Sequence, residues 1–117
     1  MKFVPSESKH REDKQGYSKK IILDEKELNN PWSLVQHIKI KAWETAASHF
    51  HKIQTEIFYL LDDNWYRIVN GEEIHPKKWD VLVIELNDKH TVIANKTADY
   101  IYLAFKIKYD PNDLYRD

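Results

Sequence analysis

Between Ser33 and Tyr109 the chain runs in short β-branched and aromatic segments, broken by turn residues at steps of roughly ten. Ser33–Trp43 alternates cleanly. Gln36, Ile38, Ile40 and Ala42 share one face, and His37, Lys39 and Lys41 share the other. Such alternation predicts a half-buried strand with its Ile38/Ile40 face turned inward. Glu56–Leu61 is strongly apolar, and Asp62-Asp63-Asn64 then turns the chain. Trp65–Val69 runs into Asn70-Gly71, the strongest hairpin signal present, and Ile74–Pro76 is a short stub. Trp79–Leu86 reads as a buried strand closed by Asn87-Asp88, and His90–Ala94 is followed by a turn through Asn95-Lys96-Thr97. Tyr100–Tyr109 is a long final strand on which Lys106 and Lys108 read as the solvent side, and Asp110-Pro111-Asn112 opens a polar tail. Short strands so punctuated predict an all-β, antiparallel sandwich or barrel.

Upstream of this run, residues 1–16 are polar and read as a flexible arm with nothing to bury. Tyr17–Leu23 is expected as an edge-like first strand, and Asp24–Leu28 as one helical turn that Asn29-Asn30-Pro31 ends. A chain of 117 residues has room for one core, so residues 17–117 are expected to form a single domain.

Composition removes several function classes. Eighteen Lys plus Arg against 19 Asp plus Glu give a net charge of -1, which offers no broad attraction for nucleic acid or anionic membrane. Neither partner is expected. The absence of cysteine excludes disulfides and thiolate metal sites. With two glycines, Gly16 and Gly71, no Gly-rich phosphate loop can be built. No secretory or membrane-spanning segment is visible, so a cytoplasmic location is the expectation. The aromatic residues read first as core or subunit-interface packing.

The chemistry-bearing pattern is His49-Phe50-His51, with Glu56 five residues after His51 and His90 in a later segment. On an extended strand the two imidazoles of H-x-H point the same way. Imidazole nitrogen and carboxylate oxygen suit a divalent transition metal (Fe, Mn, Zn, Ni, Co or Cu). Glu56 lies an odd number of residues from both histidines, so one straight strand would place it on the opposite face. It joins them only if the chain bends between Lys52 and Thr55. His10, His37 and His75 read as solvated. If Glu56 points inward so does Phe58, a candidate pocket wall, and Gln54 could offer its amide to a ligand. For both, ordinary packing or a turn hydrogen bond is the competing reading.

These residues resemble the cupin superfamily, whose first motif runs G-x5-H-x-H-x3–4-E-x6-G and whose second runs G-x5-P-x-G-x2-H-x3-N. His49, His51, Glu56 and His90 match. Trp43 and Asp63 stand at the first motif's glycines, over residues 43–63. Over 79–95, Trp79 and Asn87 stand at the second motif's glycines, Glu85 replaces its proline, and Asn95 falls one residue late. Asp and Asn are mild replacements, whereas the two tryptophans imply different backbone or packing at their corners. Over about residues 33–109 the resemblance implies a single-domain cupin jelly-roll, a double-stranded β-helix barrel of antiparallel strands. It further implies one metal held by His49, His51, Glu56 and His90, and a homodimer.

Three functions stay open. The first is a metal-dependent enzyme acting on a small organic metabolite, with oxygenase-like or isomerase-like chemistry. The second is a non-catalytic module that binds such a small-molecule ligand. The third is a dimeric interaction protein with a vestigial site. No acid–base partner or nucleophile arrangement chooses among them.

Overall fold

The computed structural model describes residues 1–42, 44–63, 67–92 and 98–116. The expectations placed on Trp43, Trp65, Asn95 and the strand ends at 64–66 and 93–94 lie outside these residues. In chain order the elements are β1 (Arg11–Lys14), β2 (Tyr17–Leu23), α1 (Glu25–Leu28), β3 (Ser33–Ile40), β4 (Ala46–His49) and β5 (Thr55–Leu60). They continue with β6 (Arg67–Val69), β7 (Glu72–Ile74), β8 (Val81–Ile84), β9 (His90–Val92) and β10 (Tyr100–Ile107). One sheet has the order β1-β2-β3-β10-β5-β8 and the other β4-β9-β6-β7. The pairings are antiparallel. No ladder joins the two sheets among the described residues, so strand pairing does not close the sandwich into a complete barrel. Among the described residues no helix is long and apolar enough to cross a membrane.

Local chemistry sets the punctuation. The Asp24 carboxylate accepts from the Glu27 N–H at 2.8 Å and Glu27 Oε1 accepts from the Asp24 N–H at 3.1 Å, a reciprocal cap on α1. Asn29, left-handed at φ 52, ends it. Asn70 and Gly71 have φ of 51 and 80 between the paired Val69 and Glu72, the two-residue turn that matches strand twist. At Gly16, φ is +86 and a Cβ would collide with the Thr45 carbonyl oxygen, so the β1–β2 turn admits no side chain there.

The core lies between the sheets, where Ile38, Ile40, Phe58, Leu60, Ile84, Val92, Tyr100, Tyr102 and Ala104 pack together. Each such large side chain withdrawn from water contributes roughly 1.5–3 kcal/mol. Ile38 and Ile40 face inward as their alternation predicts.

Three expectations are corrected. The 1–16 arm keeps most of its side chains exposed, but its backbone is tied in, because Arg11–Lys14 pairs with Tyr17–Lys20. The 79–86 segment is not a buried strand. Only Leu82 and Ile84 of β8 turn inward, and Val81 (58 % exposed) and Val83 (47 %) face out from a sheet edge. On β10 the faces are reversed at Lys106, whereas Lys108, past the end of the strand, is exposed as expected. Lys106 stands opposite Glu56 on the inner face with Tyr102 and Ala104, while Phe105 and Ile107 are exposed. Trp79 has φ 74, a left-handed angle that a bulky residue seldom adopts. The tryptophan tolerates it by lying half out in solvent, its ring 5.8 Å from Tyr59. Asn87, at φ 69, keeps the second motif's turn in the same way.

Candidate metal centre

The four predicted ligands converge from both sheets. His49 and His90 are direct cross-strand partners in β4 and β9 of the smaller sheet. Glu56 comes from β5 of the larger sheet, and His51 from the connection between them. The bend demanded by parity falls at Lys52–Ile53. One ligand atom from each residue lies within 4.8 Å of all the others. Ligand atoms on opposite sides of an ion at about 2.1 Å are separated by roughly 4.2 Å, so little contraction is needed.

All three imidazoles are held by the same device. Nδ1 of His49 meets the Ala47 carbonyl at 2.9 Å, Nδ1 of His90 meets the Asp88 carbonyl at 2.9 Å, and Nδ1 of His51 meets the Asp113 carbonyl at 2.5 Å. A carbonyl oxygen only accepts, so each Nδ1 carries the proton. Each ring is therefore left with Nε2 as the nitrogen able to serve a cation. His51 Nε2 is buried 2.6 Å from Glu56 Oε1. Two acceptors face each other across that gap, and either a proton or a cation must lie between them. The donor set and this orphaned nitrogen fit a divalent transition metal.

The electrostatics agree. Burial pushes the Glu56 carboxyl up, but the His51 contact and the charges of Lys106 and His90 outweigh it and hold the group at about 2. Burial depresses His90 to about 4 despite the attraction of Glu56, and it lowers His49 in the same direction. His51 goes the other way, since its contacts with Glu56 and Asp113 outweigh the effect of burial. At neutral pH the cluster offers one carboxylate and two imidazoles that are already neutral.

The supporting residues were only partly visible in sequence. Gln54 donates from Nε2 to Glu56 Oε1 at 2.9 Å and so steers the carboxylate. Phe58 does line the cavity beside the cluster, and its ring is 6.3 Å from His90. Arg67 on β6, 3 % exposed, lies over Phe58 at 4.5 Å and donates to the Tyr102 hydroxyl at 3.2 Å. The cavity measures about 540 Å³ and has both polar and apolar walls. Asp113 went unpredicted. Its carboxylate accepts the backbone N–H groups of Lys52, Ile53 and Gln54, each at 2.8 Å, and so fixes the bend that carries His51 toward Glu56. Phe50 and Tyr115 exchange backbone hydrogen bonds of 2.9 and 3.0 Å, seating the tail against the cluster. The Asn87 N–H donates to the His51 carbonyl at 2.7 Å from the other side.

Comparison with known proteins places this architecture. A predicted oxalate decarboxylase from Thermotoga maritima superposes with a TM-score of 0.79 at 20 % identity, over 91 % of this chain and 98 % of that one. A cupin-2 domain from Rhodospirillum rubrum gives a TM-score of 0.74 at 9 % identity, over 88 % and 66 %. The polyketide cyclase RemF from Streptomyces resistomycificus gives 0.78 at 16 % identity, over 99 % and 84 %. The chain has the cupin fold, of the antiparallel jelly-roll class. Among curated proteins, the tetracenomycin polyketide synthase protein TcmJ of Streptomyces glaucescens is 23 % identical over 79 residues. This chain spans about half of that relative's length, 53 %, with 68 % of its own residues aligned. No family model matches the sequence.

Proposed function

We propose that this chain is a metal-dependent cupin that binds a small organic metabolite in its cavity and acts on it beside His49, His51, Glu56 and His90. The observation that carries this reading is the convergence of four donor atoms, three of them imidazole Nε2 groups whose Nδ1 hydrogens are already committed to carbonyls. A bound divalent ion would supply Lewis acidity and open coordination positions. The chain's own contribution is positional. Gln54 orients Glu56, Asp113 orients His51, and Phe58 with Arg67 forms the adjoining wall. Acid–base work by a second side chain is not part of this proposal, so the chemistry is assigned to the metal.

The test is elemental analysis of protein purified without added metal. The expected result is close to one transition-metal ion per chain, lost in His90→Ala. Protein devoid of metal, or one whose metal content is unchanged in His90→Ala, would overturn the reading.

A homodimer and a cytoplasmic location belong to the same proposal. Val81, Val83, Phe105 and Ile107 are exposed on the outer face of the larger sheet, with Ile57 and Tyr59 between them. An apolar patch of this extent beside an unpaired edge strand is suited to burial by a second copy. Light scattering should give twice the chain mass, and Val83→Glu together with Phe105→Glu should give a monomer that retains its metal. A wild-type monomer would sink this part.

A further inference from the structure

One wall of the cavity has a chemistry that the four-residue cluster does not use. Lys19 on β2, Gln36 on β3 and Lys106 on β10 all line it. The register explains their grouping. Gln36 is opposite Ala104, Lys106 follows Ala104 by two residues, and Lys19 is opposite Ile38, which follows Gln36 by two. Gln36 therefore has a lysine on each diagonal, within reach of long side chains. The small Ala104 leaves a hollow between them. Both ammonium groups lack a carboxylate within 4 Å among the described residues. Lys39 and Lys41 on the outer surface have such partners. Glu12 stands opposite Lys19 on β1, but it is more than half exposed and engages Lys14 at 3.4 Å. The Lys106 ammonium lies 5.2 Å from the Tyr109 ring. Gln36 is 1 % exposed, and its Nε2 has no acceptor among the described residues.

Buried amide donors are seldom left unmatched, and two ammonium groups on one wall repel. Burial and the neighbouring Lys106 both depress Lys19. A single oxyanion would offset all three costs, since each of its oxygens accepts charge-assisted hydrogen bonds. Lys106 is also the cross-strand partner of Glu56, so this hollow adjoins the four-residue cluster.

We infer that Lys19, Gln36 and Lys106 form an anion subsite that takes the carboxylate or phosphate group of a small organic ligand. This names the ligand class for the cavity and rests on the reading of that cavity as a ligand site. The ligand would place its anionic end in the hollow and its reacting end toward His49 and His90.

The experiment is an NMR titration of the full chain with acetate and, separately, inorganic phosphate, with metal content measured on every sample. Saturable shifts are expected at the Gln36 side-chain amide and the backbone amides of residues 19, 104 and 106. Lys19→Gln and Lys106→Gln should each weaken the binding about tenfold or more. Lys19→Arg and Lys106→Arg should restore most of it, which separates charge from folding. The probe that binds more tightly identifies the anionic group. Absence of saturable shifts with both probes, or affinity unchanged in both Gln variants, overturns the subsite whether or not metal is present. Lysine-dependent binding in a chain that carries no metal would uphold the subsite and overturn the proposed function instead.

Discussion

Asp113→Ala should weaken divalent-metal binding by roughly 10- to 100-fold, the usual effect of removing a group that orients a ligand. It should also lower folding stability by about 3 kcal/mol at pH 7, although residue 113 touches no metal. Asp113 is 2 % exposed, and its carboxylate is the acceptor for three consecutive N–H groups. Alanine leaves those donors facing a small void. It also frees the tail, whose carbonyl at residue 113 fixes the Nδ1 proton of His51. Burial pushes the Asp113 carboxyl up, but the Lys52, Gln54 and Ile53 amides outweigh it and hold it below the ordinary value of 3.8. Its contribution is therefore present above that pH and lost as pH falls through the lower folded value. Competition with a chromophoric chelator gives the metal affinity, and urea unfolding gives the stability. Wild-type values for both would show that the tail merely rests on the site.

The residues that hold the cluster in place carry different amounts of sequence signal, for physical reasons. Wherever a local rule decided the structure, the sequence announced it. Asn70-Gly71 needs two positive φ angles, Asp24–Leu28 makes one helical turn that Asn29 ends, and Ile38/Ile40 follow strand periodicity. The His49/His51/Glu56/His90 pattern was legible for a related reason. Strand parity requires a bend between His51 and Glu56, and the bend is present.

Misreadings occurred where the cavity inverts the usual preference for charge outside and apolar side chains inside. On β10 the alternation of Phe105, Lys106 and Ile107 was correct in period and wrong in sign, because the inner face of that strand ends at a polar hollow while the outer face is apolar. β8 failed likewise, since Val81 and Val83 have the composition of a core strand and the position of an exposed edge. Asp113 carried no local signal, as its partners lie about sixty residues away.

The second large effect is a loss of stability in the metal-free protein between pH 6.5 and 4. His90 is 2 % exposed and held by burial at about 4, against an ordinary value of 6.5. As pH falls through this interval the unfolded chain protonates at His90 and the folded chain does not, so unfolding gains roughly 3 kcal/mol by linkage. His49 is shifted in the same direction by its own burial and adds to the slope. His51, raised above 6.5 by Glu56 and Asp113 despite its burial, contributes a term that is complete below pH 6.5 and so adds no slope there. Glu56, lowered from 4.5 to about 2, acts beneath the interval, because its stabilisation persists above 4.5 and is lost as pH falls toward 2. Urea unfolding of chelator-treated protein at pH 7, 5.5 and 4 should show the decline, and His90→Gln should remove most of it. Stability that stays level across the interval, or a decline that survives His90→Gln, would mean that the ring titrates in contact with water. The cluster would then lack the dry, neutral imidazole on which ready metal binding at pH 7 depends.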